Sequence, residues 1–322
     1  MELVRVQPGR PASRQGQVVA LGNFDGVHLG HQRLLAVAGQ TASATGDARS
    51  AVLTFEPHPA SVLRPESAPG RLTPLRSKAR KLAEAGVDIL YIQRFSLAFS
   101  SLTADAFMED VLARTLAARH IVVGHDFRFG TGRAGDAEGL ARFAPSAGFG
   151  LTVVDPVTDD AGVAFGSTTI RKAISEGRVD EAGQALGAPF EVEGRVRRGE
   201  TRGRRLGFPT ANLLYLSQLA PLDGVYAGWA WIESQPERGW LPAAISTGTR
   251  PQFAGTTRIL EAHVLNFQGN LYGERVRVAF SRRLRPERKF ANSNALISAM
   301  SQDVSRTRAI AAEEGPPRDT TS

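Results

Sequence analysis

Apolar residues over the first 186 positions fall into short unbroken runs separated by longer stretches with helical spacing. Val18-Val19-Ala20-Leu21 and residues 51–55, 89–92, 121–123 and 151–154 have the length of strands buried on both faces. Between them, residues 32–45, 75–85, 104–118 and 137–147 have helical spacing, and Thr103 precedes the third stretch as an N-cap. Strands alternating with helices predict an α/β domain, a Rossmann-like, doubly wound parallel sheet whose ligands sit at the carboxyl ends of the strands.

After Leu186 the pattern changes, with Gly187-Ala188-Pro189 as the hinge, so the chain divides into domains 1–186 and 187–322. In Arg275-Val276-Arg277-Val278-Ala279-Phe280 the residues Val276, Val278 and Phe280 share one face, the period-2 signature of a half-buried strand. Residues 190–197, 224–233, 241–247 and 258–266 read as further strands, so the second domain is expected to be an antiparallel β-barrel or sandwich. A terminal helix over residues 293–308 closes it, and residues 313–322 read as a disordered tail.

Composition narrows the chemistry. The 322 residues include no cysteine, which excludes disulfides, thiolate nucleophiles and cysteine-held metals. No apolar run approaches the ~20 residues of a membrane span, and the first ten residues lack a signal peptide's apolar stretch, so a cytoplasmic protein without membrane contact is expected. The net charge of +7 is uneven, +1 over residues 1–186 and +6 over 187–322. Such a basic half suits nucleic acid or a polyphosphate ligand. Basic residues do not interleave with aromatics as single-strand binders require, so a nucleic-acid partner is not expected.

The densest segment is Leu21-Gly22-Asn23-Phe24-Asp25-Gly26-Val27-His28-Leu29-Gly30-His31-Gln32, between the first strand and the first helix. Glycines let backbone approach a phosphate, and a helix N-terminus adds free N–H groups and positive dipole. His28 and His31 at that helix start can hold an α-phosphate and stabilise charge that grows on it during attack. A zinc pair is the competing use, but no carboxylate cluster accompanies the histidines. Gly130-Thr131-Gly132-Arg133-Ala134-Gly135 fits G-x-G-x-x-G with Asp155 further on, which alone would suggest a dehydrogenase. That match lies several residues beyond its strand and outside the first strand–helix unit, so it is set aside. A Walker A loop is excluded because none of the four lysines follows a glycine.

In the second half, Gly199-Glu200-Thr201-Arg202-Gly203-Arg204-Arg205-Leu206-Gly207-Phe208-Pro209-Thr210-Ala211-Asn212 sets Thr210 and Asn212 two apart, facing the same way on an extended chain. Neutral oxygens of this kind suit Mg²⁺, whose remaining ligands come from water and ATP phosphates. An ordinary Gly/Arg turn leading into a strand fits this segment equally well.

The histidine loop resembles the nucleotidyltransferase superfamily, and the string Gly22 to His31 resembles the FMN adenylyltransferase half of bacterial bifunctional riboflavin kinase/FAD synthetases. Thr54-Phe55-Glu56-Pro57-His58-Pro59 is similar to that family's flavin-side loop, and residues 123–130, with Asp126, to its loop after the fourth strand. Ser167-Thr168-Thr169-Ile170-Arg171 is similar to its Ser-Ser-Thr-x-Ile-Arg signature, whose hydroxyls and arginine hold the β- and γ-phosphates of ATP. Gly-Arg-x-Leu-Gly-Phe-Pro-Thr-Ala-Asn resembles the flavokinase signature, with Asp223-Gly224-Val225-Tyr226 and Leu271-Tyr272-Gly273 at the family's positions.

The resemblance implies a bifunctional enzyme that phosphorylates riboflavin to FMN and then adenylylates FMN to FAD, releasing pyrophosphate. It implies Glu261 as general base, with His28 and His31 acting in adenylyl transfer and Mg²⁺ on Thr210 and Asn212. Gly22, Asn23, Phe24, Gly30, Asp126, Ser167, Thr168 and Arg171 would bind nucleotide, Phe55, Pro57 and Pro59 flavin, and Gly203, Gly207 and Pro209 the kinase phosphates. Partners would be the small molecules ATP, riboflavin and FMN, and a homo-oligomer is compatible. The chain departs from the family's pattern at Gly166, Thr169, Arg250 and Ala291. The alternative is an adenylyltransferase with an inactive barrel.

Overall fold

The computed structural model describes residues 1–198, 203, 206–215, 218–252 and 255–318. They form two compact units, Met1–Pro69 with Thr73–Gly166, and Gly70–Leu72 with Ser167–Ser322.

The first unit runs β1 (Glu2–Val6), β2 (Val18–Leu21), α1 (Leu29–Ala44), β3 (Ser50–Glu56), α2 (Pro59–Leu63), α3 (Leu75–Glu84) and β4 (Ile89–Arg94). It continues with α4 (Leu97–Ser100), α5 (Ala104–Ala106), β5 (His120–Gly124), α6 (Ala137–Ala147) and β6 (Gly150–Val154). The strands form one sheet in the order β1-β4-β3-β2-β5-β6, every neighbouring pair parallel. Along β2 the side chains alternate between two cores, as strand geometry requires. Val19 and Leu21 join Val111, Leu112 and Leu140 on one face, while Val18 and Ala20 join Leu35, Ala38 and Leu82 on the other. From β2 the chain passes to β3 on one side and returns to β5 on the other, so the loop after β2 opens at the topological switch point where such sheets bind ligands.

Three local features differ from the sequence expectations. β1 was not foreseen: it is an edge strand with only Val4 and Val6 buried, too sparse a pattern to read as a strand by itself. Helix α1 begins at Leu29, three residues before the expected start. The expected third helix opens as α5, with Thr103 Oγ1 accepting from Ala106 N at 3.1 Å as the predicted cap, but continues as a π-helix over Phe107–Thr115.

The second unit comprises α7 (Ser167–Ser175), α8 (Val179–Leu186), β7 (Phe190–Arg197), β8 (Ala211–Leu214), β9 (Gly224–Ile232), β10 (Leu241–Gln252), β11 (Gly255–Val264), β12 (Arg275–Arg285) and α9 (Ser293–Glu314). Its six strands close into an antiparallel barrel, β10-β11-β8-β7-β12-β9, which decides between the barrel and sandwich readings. All nine residues of β9 are buried because α9 covers its outer face, where Val225 and Ala227 meet Ile310, and Trp229 and Trp231 meet Ala311. Asn292 caps α9 through Ala295 N at 2.9 Å. Asp303 pairs with Arg285 at 2.8 Å, while Glu313 and Glu314 pair with Arg282 at 3.0 and 2.6 Å. These two glutamates are therefore helical, not part of a disordered tail. Helices α7 and α8 belong to this unit, with α8 packed on β7 and β12. The change of periodicity after Leu186 and the division between units thus fall at different places.

Candidate functional sites

The loop from Gly22 to His28 is held in a conformation its residues do not favour. Phe24 and Val27 have φ of 49° and 47°, a left-handed region costly for bulky and β-branched side chains. Burial of both side chains in the α1-side core offsets that cost. Asp25, itself buried, fixes the turn: its Oδ1 accepts from Thr73 N at 2.8 Å and Thr73 Oγ1 at 3.2 Å, while Gly26 N donates to Thr73 Oγ1 at 2.9 Å. His28 is the N-cap residue of α1, so its imidazole stands at the positive end of the helix.

The imidazoles of His28 and His31 stack with centroids 3.7 Å apart, and Phe24 lies 5.0 Å from His31. Gly30 permits this, since a Cβ there would sit 3.2 Å from the His28 ring; a Cβ on Gly22 would sit 3.1 Å from Phe24. Burial, then the neighbouring His28 and Lys78, hold His31 well below the ordinary imidazole range, so it is neutral at pH 7. The sequence brings His28, His31, Gly22, Asn23, Phe24 and Gly30 together as expected. Among the described residues no group of three histidine or acidic side chains is placed to hold a metal.

At the carboxyl end of β3, Phe55 packs 6.1 Å from Phe95 and 5.9 Å from Phe99, and ring contacts continue through Phe107 and Phe129 to Phe127. Phe55, Phe107 and Phe129 belong to the buried core of the sheet, and Phe95, Phe99 and Phe127 are partly exposed beside them. Pro57 follows a cis peptide bond, and Pro59 opens α2 beneath His58, whose Nδ1 accepts from Ala60 N at 3.2 Å. The sequence reading missed Phe95 and Phe99; the signal available was the place of Phe95 directly after β4, with Phe99 following in α4. Asp126 is exposed in the turn after β5. The set-aside glycine motif forms no phosphate loop. Gly135 makes room for the Phe129 ring, which a Cβ would meet at 2.5 Å, and Gly130 packs on the Ala104 backbone.

Ser167 and Thr168 open α7 in the second unit, and Arg171 Nε on the same helix donates to Gly70 O at 2.9 Å. Gly166 precedes them, and Thr169 is exposed.

In the barrel, Glu261 of β11 pairs in register with Asn212 of β8. Leu260, Ala262 and Val264 are buried, whereas Glu261 and His263 are half-buried on the opposite face, as alternation predicts. Thr210 Oγ1 donates to Glu261 Oε2 at 3.2 Å, and His263 Nδ1 lies 2.8 Å from Pro209 O. Thr210, Asn212 and Glu261 thus form a compact set of hard oxygen donors, a set suited to Mg²⁺. Thr210 and Asn212 border an open cleft that they share with Pro209, Phe267, Asn270 and Tyr272. The preceding turn needs its glycines. Gly207 has φ of +88°, and a Cβ on Gly203 would meet Phe208 O at 2.5 Å. Gly199, Glu200, Thr201, Arg202, Arg204, Arg205 and the side chain of Arg250 lie outside the described residues. Ala291 is exposed just before α9.

Comparison with known proteins covers both halves. Residues 10–169 match the family described as FAD synthetase, and residues 186–311 that described as riboflavin kinase. A bifunctional riboflavin kinase/FMN adenylyltransferase of Escherichia coli (strain K12) is 38% identical over 307 residues, 94% of this chain and 96% of the relative. One of Pseudomonas fluorescens is 39% identical over 313 residues, 97% of this chain and 98% of the relative. A crystal structure described as a macrolide-efflux protein from Streptococcus pneumoniae superimposes with a TM-score of 0.86 at 34% identity, covering 96% of this chain and 99% of its own. No helix among the described residues is long and apolar enough to cross a membrane.

Proposed function

Because the chain belongs to the family of bifunctional riboflavin kinases/FMN adenylyltransferases, we propose that its barrel carries the kinase reaction on Glu261, Thr210 and Asn212, and its sheet domain the adenylyl transfer on His28 and His31. The chain is a transferase that converts riboflavin to FMN and FMN to FAD at the expense of ATP. An inactive barrel is not favoured, since the riboflavin kinase match spans residues 186–311.

The observation that carries the kinase assignment is the 3.2 Å hydrogen bond from Thr210 to Glu261, with Asn212 paired opposite the same glutamate. Glu261 takes the proton of the riboflavin 5′-hydroxyl as its oxygen attacks the γ-phosphorus, and the bond to the bridging oxygen breaks to release ADP. Mg²⁺ held by Thr210 and Asn212 would supply neutralisation of phosphate charge. Gly203, Gly207 and Pro209 shape the turn over those phosphates.

In the sheet domain an FMN phosphate oxygen attacks the α-phosphorus of ATP in line, and pyrophosphate leaves. His28 at the N-terminus of α1 and the neutral His31 donate hydrogen bonds to the oxygens where charge grows. Gly22, Asn23, Phe24 and Gly30 define the loop that receives the nucleotide, with Asp126 on the neighbouring strand end. Phe55, Pro57 and Pro59 border the aromatic row suited to the flavin ring; in the second unit, Ser167, Thr168 and Arg171 of α7 offer hydroxyls and a guanidinium suited to phosphate. Cytoplasmic residence, where ATP is supplied, fits this reading; its partners are small molecules, and a homo-oligomer is compatible with it.

The test is incubation with riboflavin, ATP and Mg²⁺ and chromatographic separation of riboflavin, FMN and FAD over time. FMN followed by FAD is expected. FAD from added FMN but none from riboflavin would refute the kinase assignment.

A further inference from the structure

One buried charge lies beneath the histidine loop and takes no part in the chemistry described above. Lys78, on α3, has no solvent-exposed side-chain surface. A buried ammonium is costly unless paired and hydrogen-bonded. Its Nζ lies 3.3 Å from Glu56 Oε1, at the carboxyl end of β3, and donates to Thr54 Oγ1 at 3.2 Å. Thr54 Oγ1 in turn donates to the carbonyl of Asn23 at 3.0 Å. A continuous polar chain, Glu56–Lys78–Thr54–Asn23, therefore runs from the flavin-side strand end to the histidine loop.

We propose that Lys78 is a positioning residue for adenylyl transfer, tying the histidine loop to the end of β3 and setting a fixed positive charge beside the imidazole pair. The inference rests on the assignment of His28 and His31 to that reaction. The two contributions have different physical consequences. Through Thr54 the lysine holds the Asn23 carbonyl, and with it the backbone from which the strained Phe24–Val27 turn departs. Through its charge it opposes protonation of His31, reinforcing burial and the stacked His28. The charged groups acting on His31 include His28 from the loop and Lys78 from α3; Glu56 of β3 lies behind the lysine, and Asp25 in the same loop is engaged by Thr73 through its Oδ1. A neutral imidazole keeps one nitrogen as acceptor and one as donor. A charged one would bind ATP phosphates more tightly in the ground state, an interaction that does not by itself raise the rate of the chemical step.

Two variants separate these contributions, Lys78→Met and Thr54→Val. Riboflavin phosphorylation in the barrel of the same chain serves as the folding control. For Lys78→Met the kcat of FMN adenylylation is expected to fall about 10- to 100-fold, the cost of misplacing reacting groups by a fraction of an ångström, with smaller changes in KM. Its acid limb, and the His31 titration followed by NMR of labelled imidazole, should both move to higher pH. Thr54→Val should lower kcat without moving the titration, because it breaks the chain while leaving the charge. Parental kcat and pH profile in a folded Lys78→Met protein overturn the proposal. A fall in kcat with unmoved His31 titration also overturns it, because a lysine that only supports the fold would behave so. Should Lys78→Met fail to fold, parental adenylylation in Thr54→Val overturns it. Undiminished FAD production after replacing His28 and His31 by alanine would instead remove the underlying assignment, whatever Lys78 does.

Discussion

Glu261→Gln is the substitution that bears most directly on the kinase half. The glutamine amide matches the carboxylate in shape, and its carbonyl oxygen can still accept the Thr210 hydroxyl that lies 3.2 Å from Glu261 Oε2. At that contact the structural loss is one hydrogen bond made weaker, about 0.5–1.5 kcal/mol. For a unit of this size that is a shift in Tm of roughly 2–6 °C. The inward neighbours Leu260 and Ala262 are untouched, so the barrel core stays packed. The chemical loss is much larger, because glutamine cannot take the hydroxyl proton. A positioned base contributes about 10²–10⁴-fold, or roughly 3–5 kcal/mol of barrier. Riboflavin phosphorylation should therefore fall by that factor while FMN adenylylation, measured on the same preparation, stays at the parental rate. Chromatography of FMN formed from riboflavin and of FAD formed from FMN reads both quantities. A fall in kinase kcat/KM of less than about tenfold, below what a positioned base supplies, would refute the assignment, as would an equal fall in both activities.

Replacing His28 and His31 together by alanine should do the reverse. FMN should accumulate from riboflavin with FAD formation reduced by about 10²-fold or more, and normal FAD output in the chromatogram would remove the histidines from the mechanism. Stability should fall on mild acidification: burial lowers the pKa of both His31 and His120, so the unfolded chain, with imidazoles near 6.5, binds more protons than the folded one. That contribution is fully present above about pH 6.5 and is lost as pH falls toward the folded values. Melting curves from pH 7.5 to 5 should show Tm decreasing, and a His31→Gln, His120→Gln double variant with an equally steep decrease would contradict the argument. Asp303→Ala removes the carboxylate that meets Arg285 through three hydrogen bonds of 2.8–3.1 Å where α9 docks on β12. The largely buried guanidinium loses its counter-charge, at a cost of about 3–5 kcal/mol, and urea denaturation monitored by tryptophan fluorescence should show it.

The amino-acid sequence by itself determined what depends on a window of a few residues. Unbroken apolar runs such as Val18-Val19-Ala20-Leu21 specify central parallel strands because both faces of the sheet are covered. The alternation at Leu260, Ala262 and Val264 specifies a strand with Glu261 facing away from the core. The Thr103 cap and the histidine loop at a helix start were legible for the same reason: their partners are near in sequence.

What only the tertiary structure decided depends on partners distant along the chain. β1 becomes a strand because β4 offers it an open edge, a pairing that five residues with two buried valines cannot announce. Closure of six strands into a barrel is a property of register summed around the ring. The π-helix at Phe107–Thr115 carries Phe107 into the row of rings gathered from four segments, an outcome of packing and not of local propensity. Lys78 in sequence is an ordinary helical lysine. Its burial, its pairing with Glu56 and its hold on the histidine loop through Thr54 exist only once β3, α3 and the loop after β2 are brought together. A buried charge is stable only where distant residues supply its partners, and those partners are specified by the fold.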